Sequence, residues 1–119
     1  MGNMAHETIL LVEDEPAVRH QFVTALTRAG YTVLEAANGE EGIAIFDRHA
    51  AAIDLLVTDI RMPHLTGDQL ARKLRERRPD LKVIWISGNG GPDDSQDYLT
   101  KPFSREEMLT KIREVLSRT

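Results

Sequence analysis

Thr8-Ile9-Leu10-Leu11-Val12-Glu13-Asp14-Glu15-Pro16 is an apolar run that ends abruptly in three carboxylates and a proline. An uninterrupted apolar run of strand length reads as a strand covered on both faces. Pro16 suits the first turn of a helix, where its missing N–H costs nothing. Apolar residues then recur at Val18, Phe22, Leu26 and Ala29, and Gly30 supplies a natural stop. The segment is therefore one β-strand followed by one α-helix. Working outward, the same alternation recurs: further strand-like runs lie at Thr32 to Ala36, Asp54 to Thr58, Lys82 to Ile86 and Asp97 to Thr100. Asn38 caps a second helix with Ile43 and Phe46 on its inner face, and a third runs from about Gly67 to Arg78 with Leu70 and Leu74 inward, ended by Pro79. Ser104 and Glu107 form a capping box that opens the last helix, whose stripe is Met108, Leu109, Ile112, Val115 and Leu116. Repeated βα units predict an α/β fold around a parallel sheet. The first, third and fourth runs are the most continuously apolar and belong in the middle; the mixed second and fifth belong at the edges.

The composition agrees with one globular domain: 119 residues, 41% hydrophobic and 29% charged, with no cysteine. Disulfides, zinc thiolates and thiol nucleophiles are excluded, which fits a cytoplasmic location. A net charge of −4 gives no positive field to draw the domain to nucleic acid, so direct nucleic-acid binding is not expected. No apolar run approaches the roughly 20 residues of a membrane span, and no membrane association is expected.

In an open α/β sheet, ligands bind beyond the carboxyl ends of the strands. Those ends carry Glu13-Asp14-Glu15, Asp59, Ser87 and Lys101-Pro102. Carboxylates crowded together repel, which raises their pKa values unless a cation joins them. With oxygen donors only, the hard cation Mg²⁺ is the reasonable choice. Lys101 and Ser87 would face a phosphoryl group in flight, and Asp59 would be the nucleophile that receives it.

These residues resemble the receiver domains of two-component response regulators, most closely those of hybrid histidine kinases. The likeness covers Thr8 to Ser117. It rests on Ile9-Leu-Leu-Val-Glu-Asp-Glu15, Val57-Thr-Asp-Ile-Arg-Met-Pro63, Ile86-Ser-Gly88 and Tyr98-Leu-Thr-Lys-Pro-Phe103 in that order. The resemblance implies a flavodoxin-like (βα)5 doubly wound parallel sheet of strand order 2-1-3-4-5. It implies that residues 8–119 form the receiver, after an extension over residues 1–7. It further implies Asp59 as phosphoacceptor, with Mg²⁺ held by Asp14 directly, by Glu13 through water, by Asp59 and by the backbone carbonyl of Arg61. Ser87 matches the switch hydroxyl, Tyr98 the switch aromatic, and Lys101 the lysine that meets the phosphoryl group. Lys101–Pro102 matches a peptide bond that is usually cis. Arg61, Gly88 and Asn89 match positions that tune dephosphorylation. The implied donor is a phosphohistidine on a histidine kinase or a histidine phosphotransfer protein, and the domain assists only its own phosphorylation and dephosphorylation rather than acting as an enzyme.

Three other functions fit less of this pattern. A Mg²⁺-dependent phosphohydrolase working through an aspartyl phosphate would carry a second acid two residues after its nucleophile, where Arg61 stands. A flavin-binding domain would need small hydroxyl or glycine residues where Glu13-Asp14-Glu15 repels a phosphate. A receiver-shaped scaffold that is never phosphorylated would not need the full set of Asp14, Asp59, Ser87 and Lys101. The basic run Arg72 to Arg78, apart from an inward Leu74, reads as a solvated helix face. His6, His20, His49 and His64 lack ligand spacing and receive no chemistry.

The sequence departs from the family at the fourth crossover. Only residues 87–96 separate Ile86 from Asp97, and they include three glycines and a proline. Each interior glycine would cost a helix about 1 kcal/mol. The family's fourth helix is therefore expected to be shortened or replaced by a loop. The usual dimer through that helix, the fifth strand and the last helix is then doubtful.

Overall fold

The computed structural model describes residues 7–88 and 97–118. The elements are β1 (Thr8–Val12), α1 (Pro16–Arg28), β2 (Thr32–Ala36), α2 (Gly39–His49), β3 (Ile53–Asp59), α3 (Gly67–Arg77), β4 (Lys82–Ser87), β5 (Tyr98–Thr100) and α4 (Arg105–Leu116). The strands form one parallel sheet in the order β2-β1-β3-β4-β5, the order the resemblance implies, with the two mixed strands at the edges. There are four helices among the described residues. The expected shortening of the fourth crossover falls on residues 89–96, which lie outside the described residues, as do 1–6 and 119.

The continuous apolar runs exist because each central strand is covered on both faces. Successive side chains point to opposite sides of a strand. Leu10 and Val12 of β1 join Leu56, Val83 and Trp85 under Phe46 of α2 and Leu70 and Leu74 of α3. Ile9 and Leu11 join Leu55, Val57, Ile84 and Ile86 under Leu26 of α1 and Met108, Ile112 and Val115 of α4. A one-residue slip of β1 would exchange the two sets and misfit both layers.

Local chemistry sets the helix limits. Pro16 opens α1, and Gly30 closes it at φ 102°, a left-handed conformation that glycine adopts without strain. Asn38 caps α2 by accepting the Glu41 N–H at 2.8 Å. The Ser104–Glu107 box opens α4 with reciprocal bonds of 3.0 and 2.7 Å. A second capping box, Thr66–Gln69, opens α3 and was not anticipated.

Strand limits differ from expectation by one residue. β3 begins at Ile53 and includes Asp59, β4 includes Ser87, and β5 begins at Tyr98 rather than Asp97. The β3–β4 pairing persists to Asp59 opposite Ile86, which places Asp59 inside the sheet's last rung. The basic run also needs correction, because Arg75 and Arg78 are not simply solvated. Arg75 lies 5.6 Å over the Trp85 ring and donates to the Leu81 carbonyl at 3.0 Å. Arg78 donates to the carbonyls of Ala50 and Ile53, tying the end of α3 to the turn before β3. The side chains that contribute these donors carry charge, but their acceptors are main-chain oxygens and an aromatic face.

Candidate functional site

The carboxyl ends of β1, β3, β4 and β5 converge at one edge of the sheet. Backbone bonds beyond the strands hold their side chains there. Glu13 N–H donates to the Ala36 carbonyl at 3.1 Å, Ile60 N–H to Ile86 at 3.1 Å, and Lys101 N–H to Ser87 at 2.8 Å. Each loop therefore leaves the sheet from a fixed origin.

Glu13, Asp14 and Asp59 each offer a carboxylate oxygen within 4.8 Å of the others. Glu13 is 1% exposed and Asp59 8%. Glu13 Oε2 accepts the Glu15 N–H at 3.1 Å, while Oε1 is buried with no hydrogen-bond partner among the described residues. Burial pushes the Glu13 carboxyl up to about 7, and the charge of Asp59 adds to the rise; the Glu15 N–H and the Lys101 ammonium oppose it. Burial is thus the main cause of the rise, and repulsion from the neighbouring carboxylate is a smaller one. The donor set, three carboxylates with one orphaned buried oxygen and no sulfur or imidazole, fits a hard divalent cation.

Asp59 is held from two sides. Its Oδ1 accepts the Arg61 N–H at 3.0 Å, and its Oδ2 lies 3.3 Å from Lys101 Nζ. The lysine side chain is 42% exposed, so its ammonium stands at the mouth of the site. The Lys101–Pro102 peptide is cis. Ser87 ends β4 and is half-buried; Tyr98 begins β5, with its ring 5.9 Å from that of Trp85. Among the described residues, a Cβ built on Gly88 meets nothing within 4 Å. The Arg61 side chain is exposed. Asn89 lies outside the described residues. The structure thus brings Glu13, Asp14, Asp59 and Lys101 together at one edge, with Ser87 and Gly88 at the neighbouring strand end.

Two residues of this edge escaped the sequence reading. A Cβ on Gly67 would stand 2.2 Å from the Asp59 carbonyl oxygen, so only glycine lets α3 begin against the end of β3. Its own N–H donates to the Ile60 carbonyl at 2.9 Å. Arg19, in the first turns of α1, donates to the Glu13 carbonyl at 2.7 Å and pairs with Glu35 of β2 at 3.2 Å. Both residues act on main-chain atoms, which leave no mark in a residue pattern. No helix among the described residues is long and apolar enough to cross a membrane.

Residues 9–113 match the family model of the response regulator receiver domain. The chain is 41% identical over 119 residues to the sensor kinase CckA of Brucella abortus, an alignment that covers 93% of this chain and 13% of that protein. It spans about half the length of other curated relatives, such as 54% of the phosphate regulon transcriptional regulatory protein PhoB of Pseudomonas aeruginosa, to which it is 36% identical over 98% of its own length. Among solved structures, the receiver domain from hybrid histidine kinase CckA superposes with a TM-score of 0.84 at 37% identity, covering 92% of this chain and 99% of that one. The response regulator protein TrrA from Thermotoga maritima, solved in complex with Mg²⁺-BeF, superposes at 0.81 with 30% identity, covering 92% and 98%.

Proposed function

We propose, from the premise that this chain belongs to the family of response regulator receiver domains, that Asp59 accepts a phosphoryl group from a phosphohistidine. The observation that carries this reading is the setting of Asp59. It is a nearly buried carboxylate at a strand end, flanked by an ammonium 3.3 Å away and by two further carboxylates. In the transfer, a carboxylate oxygen of Asp59 attacks phosphorus in line with the departing nitrogen. The new bond is O–P, the broken bond is N–P, and its electron pair returns to the imidazole of the donor. The donor is a histidine kinase or a histidine phosphotransfer protein.

Glu13, Asp14, Asp59 and the Arg61 carbonyl would hold Mg²⁺. When bound, that ion neutralises the acidic cluster and the charge of the phosphoryl oxygens. Lys101 moves from the Asp59 carboxylate to a phosphoryl oxygen once the transfer is complete. Ser87 donates its hydroxyl to another phosphoryl oxygen, and Tyr98 shifts with it. Arg61, Gly88 and Asn89 border the path of an attacking water and set the lifetime of the acyl phosphate. The receiver domain spans residues 8–119 and acts in the cytoplasm as a switch with no substrate of its own to turn over. It binds no nucleic acid directly, and the family's usual dimer through its fourth helix, fifth strand and last helix is not expected to form.

Incubation with a phosphorylated histidine phosphotransfer protein and Mg²⁺ tests the reading. The chain should gain one phosphoryl group that hydroxylamine releases, and Asp59→Asn should gain none. Equal labelling of Asp59→Asn would defeat the assignment.

A further inference from the structure

We infer that Arg19, anchored by Glu35, is a positioning residue that holds the β1–α1 turn in the shape that binds the divalent cation. This deepens the metal-dependent reading above and rests on it.

Glu13 must present its carboxylate to Asp14 and Asp59 from a turn that has already left the sheet. Three bonds fix that residue. Its N–H donates to Ala36 of β2 at 3.1 Å, its Oε2 accepts the Glu15 N–H at 3.1 Å, and its carbonyl accepts from Arg19 Nη1 at 2.7 Å. Neither of the first two holds the Glu13 carbonyl itself. The third does, and because the trans peptide is planar it fixes the Asp14 N–H opposite the held carbonyl and with it the direction in which the turn enters Asp14.

The guanidinium spans two elements at once. Nη1 holds the turn, while Nε lies 3.2 Å from Glu35 Oε1 on β2, one residue before the Ala36 that receives the Glu13 N–H. The arginine is itself fixed from below, since its N–H donates to the Glu15 carbonyl at 2.9 Å in the opening turn of α1. Its side chain is 19% exposed and the Glu35 side chain 52%, so Glu35 is the replaceable anchor and Arg19 the effector. A planar fork with two donors in fixed relation can bridge a carbonyl and a carboxylate together. The point-charge ammonium of lysine serves one or the other. Loss of groups that orient metal ligands typically weakens metal affinity by about 10–100-fold. Arg19 touches the turn only through one carbonyl, which puts its effect at the lower end, about tenfold.

The test is calorimetric titration of the 119-residue chain with MgCl₂ alone, in the parent, Arg19→Ala, Arg19→Lys, Glu35→Gln and the double variant Arg19→Ala/Glu35→Gln. Thermal melts of the same samples show that each is folded. We expect Kd for Mg²⁺ to rise about tenfold in Arg19→Ala, less in Glu35→Gln, and to the same value in the double variant as in Arg19→Ala. Arg19→Lys should recover part of the loss. A merely structural arginine would lower the melting temperature and leave the Kd of the folded chain unchanged, which would overturn the inference. Additive losses in the double variant would also overturn it, because Glu35 would then act by another route. A parent that binds no Mg²⁺ would instead remove the metal-dependent reading itself, an outcome visible in the parent titration alone. Should Arg19→Ala fail to fold, Arg19→Lys and Glu35→Gln carry the same comparison.

Discussion

Replacing Gly67 by alanine pushes a methyl group into the main chain of Asp59, the proposed phosphoacceptor. The added Cβ would lie 2.2 Å from the Asp59 carbonyl oxygen, 2.9 Å from its carbonyl carbon and 3.0 Å from Ile60 Cα. All three are backbone atoms, so no side-chain rotation relieves the overlap. A normal carbon–oxygen contact needs about 1 Å more, and α3 must withdraw from β3 by that amount. Overpacking of this kind costs about 1–3 kcal/mol. The withdrawal also stretches the 2.9 Å bond from Gly67 N–H to Ile60, which adds about 1 kcal/mol. The sum, about 2–4 kcal/mol, is well below the stability of an ordinary domain, so Gly67→Ala should fold but melt roughly 8–16 °C lower. Because the displaced atoms belong to Asp59, phosphorylation by a small phosphodonor should slow even at temperatures where the variant is fully folded. Gly88→Ala is the control, since its Cβ meets nothing within 4 Å among the described residues, and its melting point should stay within about 2 °C of the parent. Differential scanning calorimetry decides the first claim and initial rates of mass gain the second. Equal melting temperatures for Gly67→Ala and the parent would refute the steric argument.

Further outcomes follow from the same geometry. Lys101→Ala should keep its affinity for Mg²⁺ while losing the conformational response to beryllofluoride, read as amide chemical-shift changes at Ser87 and Tyr98; an unchanged response would refute the role of the ammonium. Arg61→Ala and Asn89→Ala should each alter the decay rate of the phosphorylated chain, and decay identical to the parent in both would dismiss their part in hydrolysis. Phosphorylation should leave the molar mass by light scattering unchanged, and a dimer appearing only with the phosphoryl group would contradict the expectation that the family's usual dimer does not form.

What the sequence made legible was the pattern of side chains. The apolar run Ile9 to Val12 announces burial on both faces, and Leu10 and Ile9 indeed face different layers of the core. The carboxylates at the ends of β1 and β3 stand out because their residue type conflicts with the apolar strands they follow. Contacts to main-chain atoms left no such trace. Arg78 reads as one more charge in a basic run, yet its acceptors are carbonyls 25 and 28 residues away in the chain. Gly67 reads as a helix start, and its necessity comes from the backbone of a strand eight positions earlier. Arg19 lies on the polar side of an amphipathic helix, where charge is ordinary. Thr66 and Gln69 have the spacing of a capping box, but the glycine between them masked the signal. Sequence patterns record which side chains avoid water, whereas the site's fine positioning depends on what donors meet carbonyls.

The most direct test of the central claim locates the phosphoryl group on the chain. Treating the phosphorylated protein with borohydride reduces an acyl phosphate to the alcohol, which turns the modified aspartate into homoserine. Tandem mass spectrometry of the peptides that contain positions 14, 54 and 59 should then show homoserine at position 59 and intact aspartate at 14 and 54. Homoserine at any other position, or a phosphoryl group that survives both borohydride and hydroxylamine, would contradict the account.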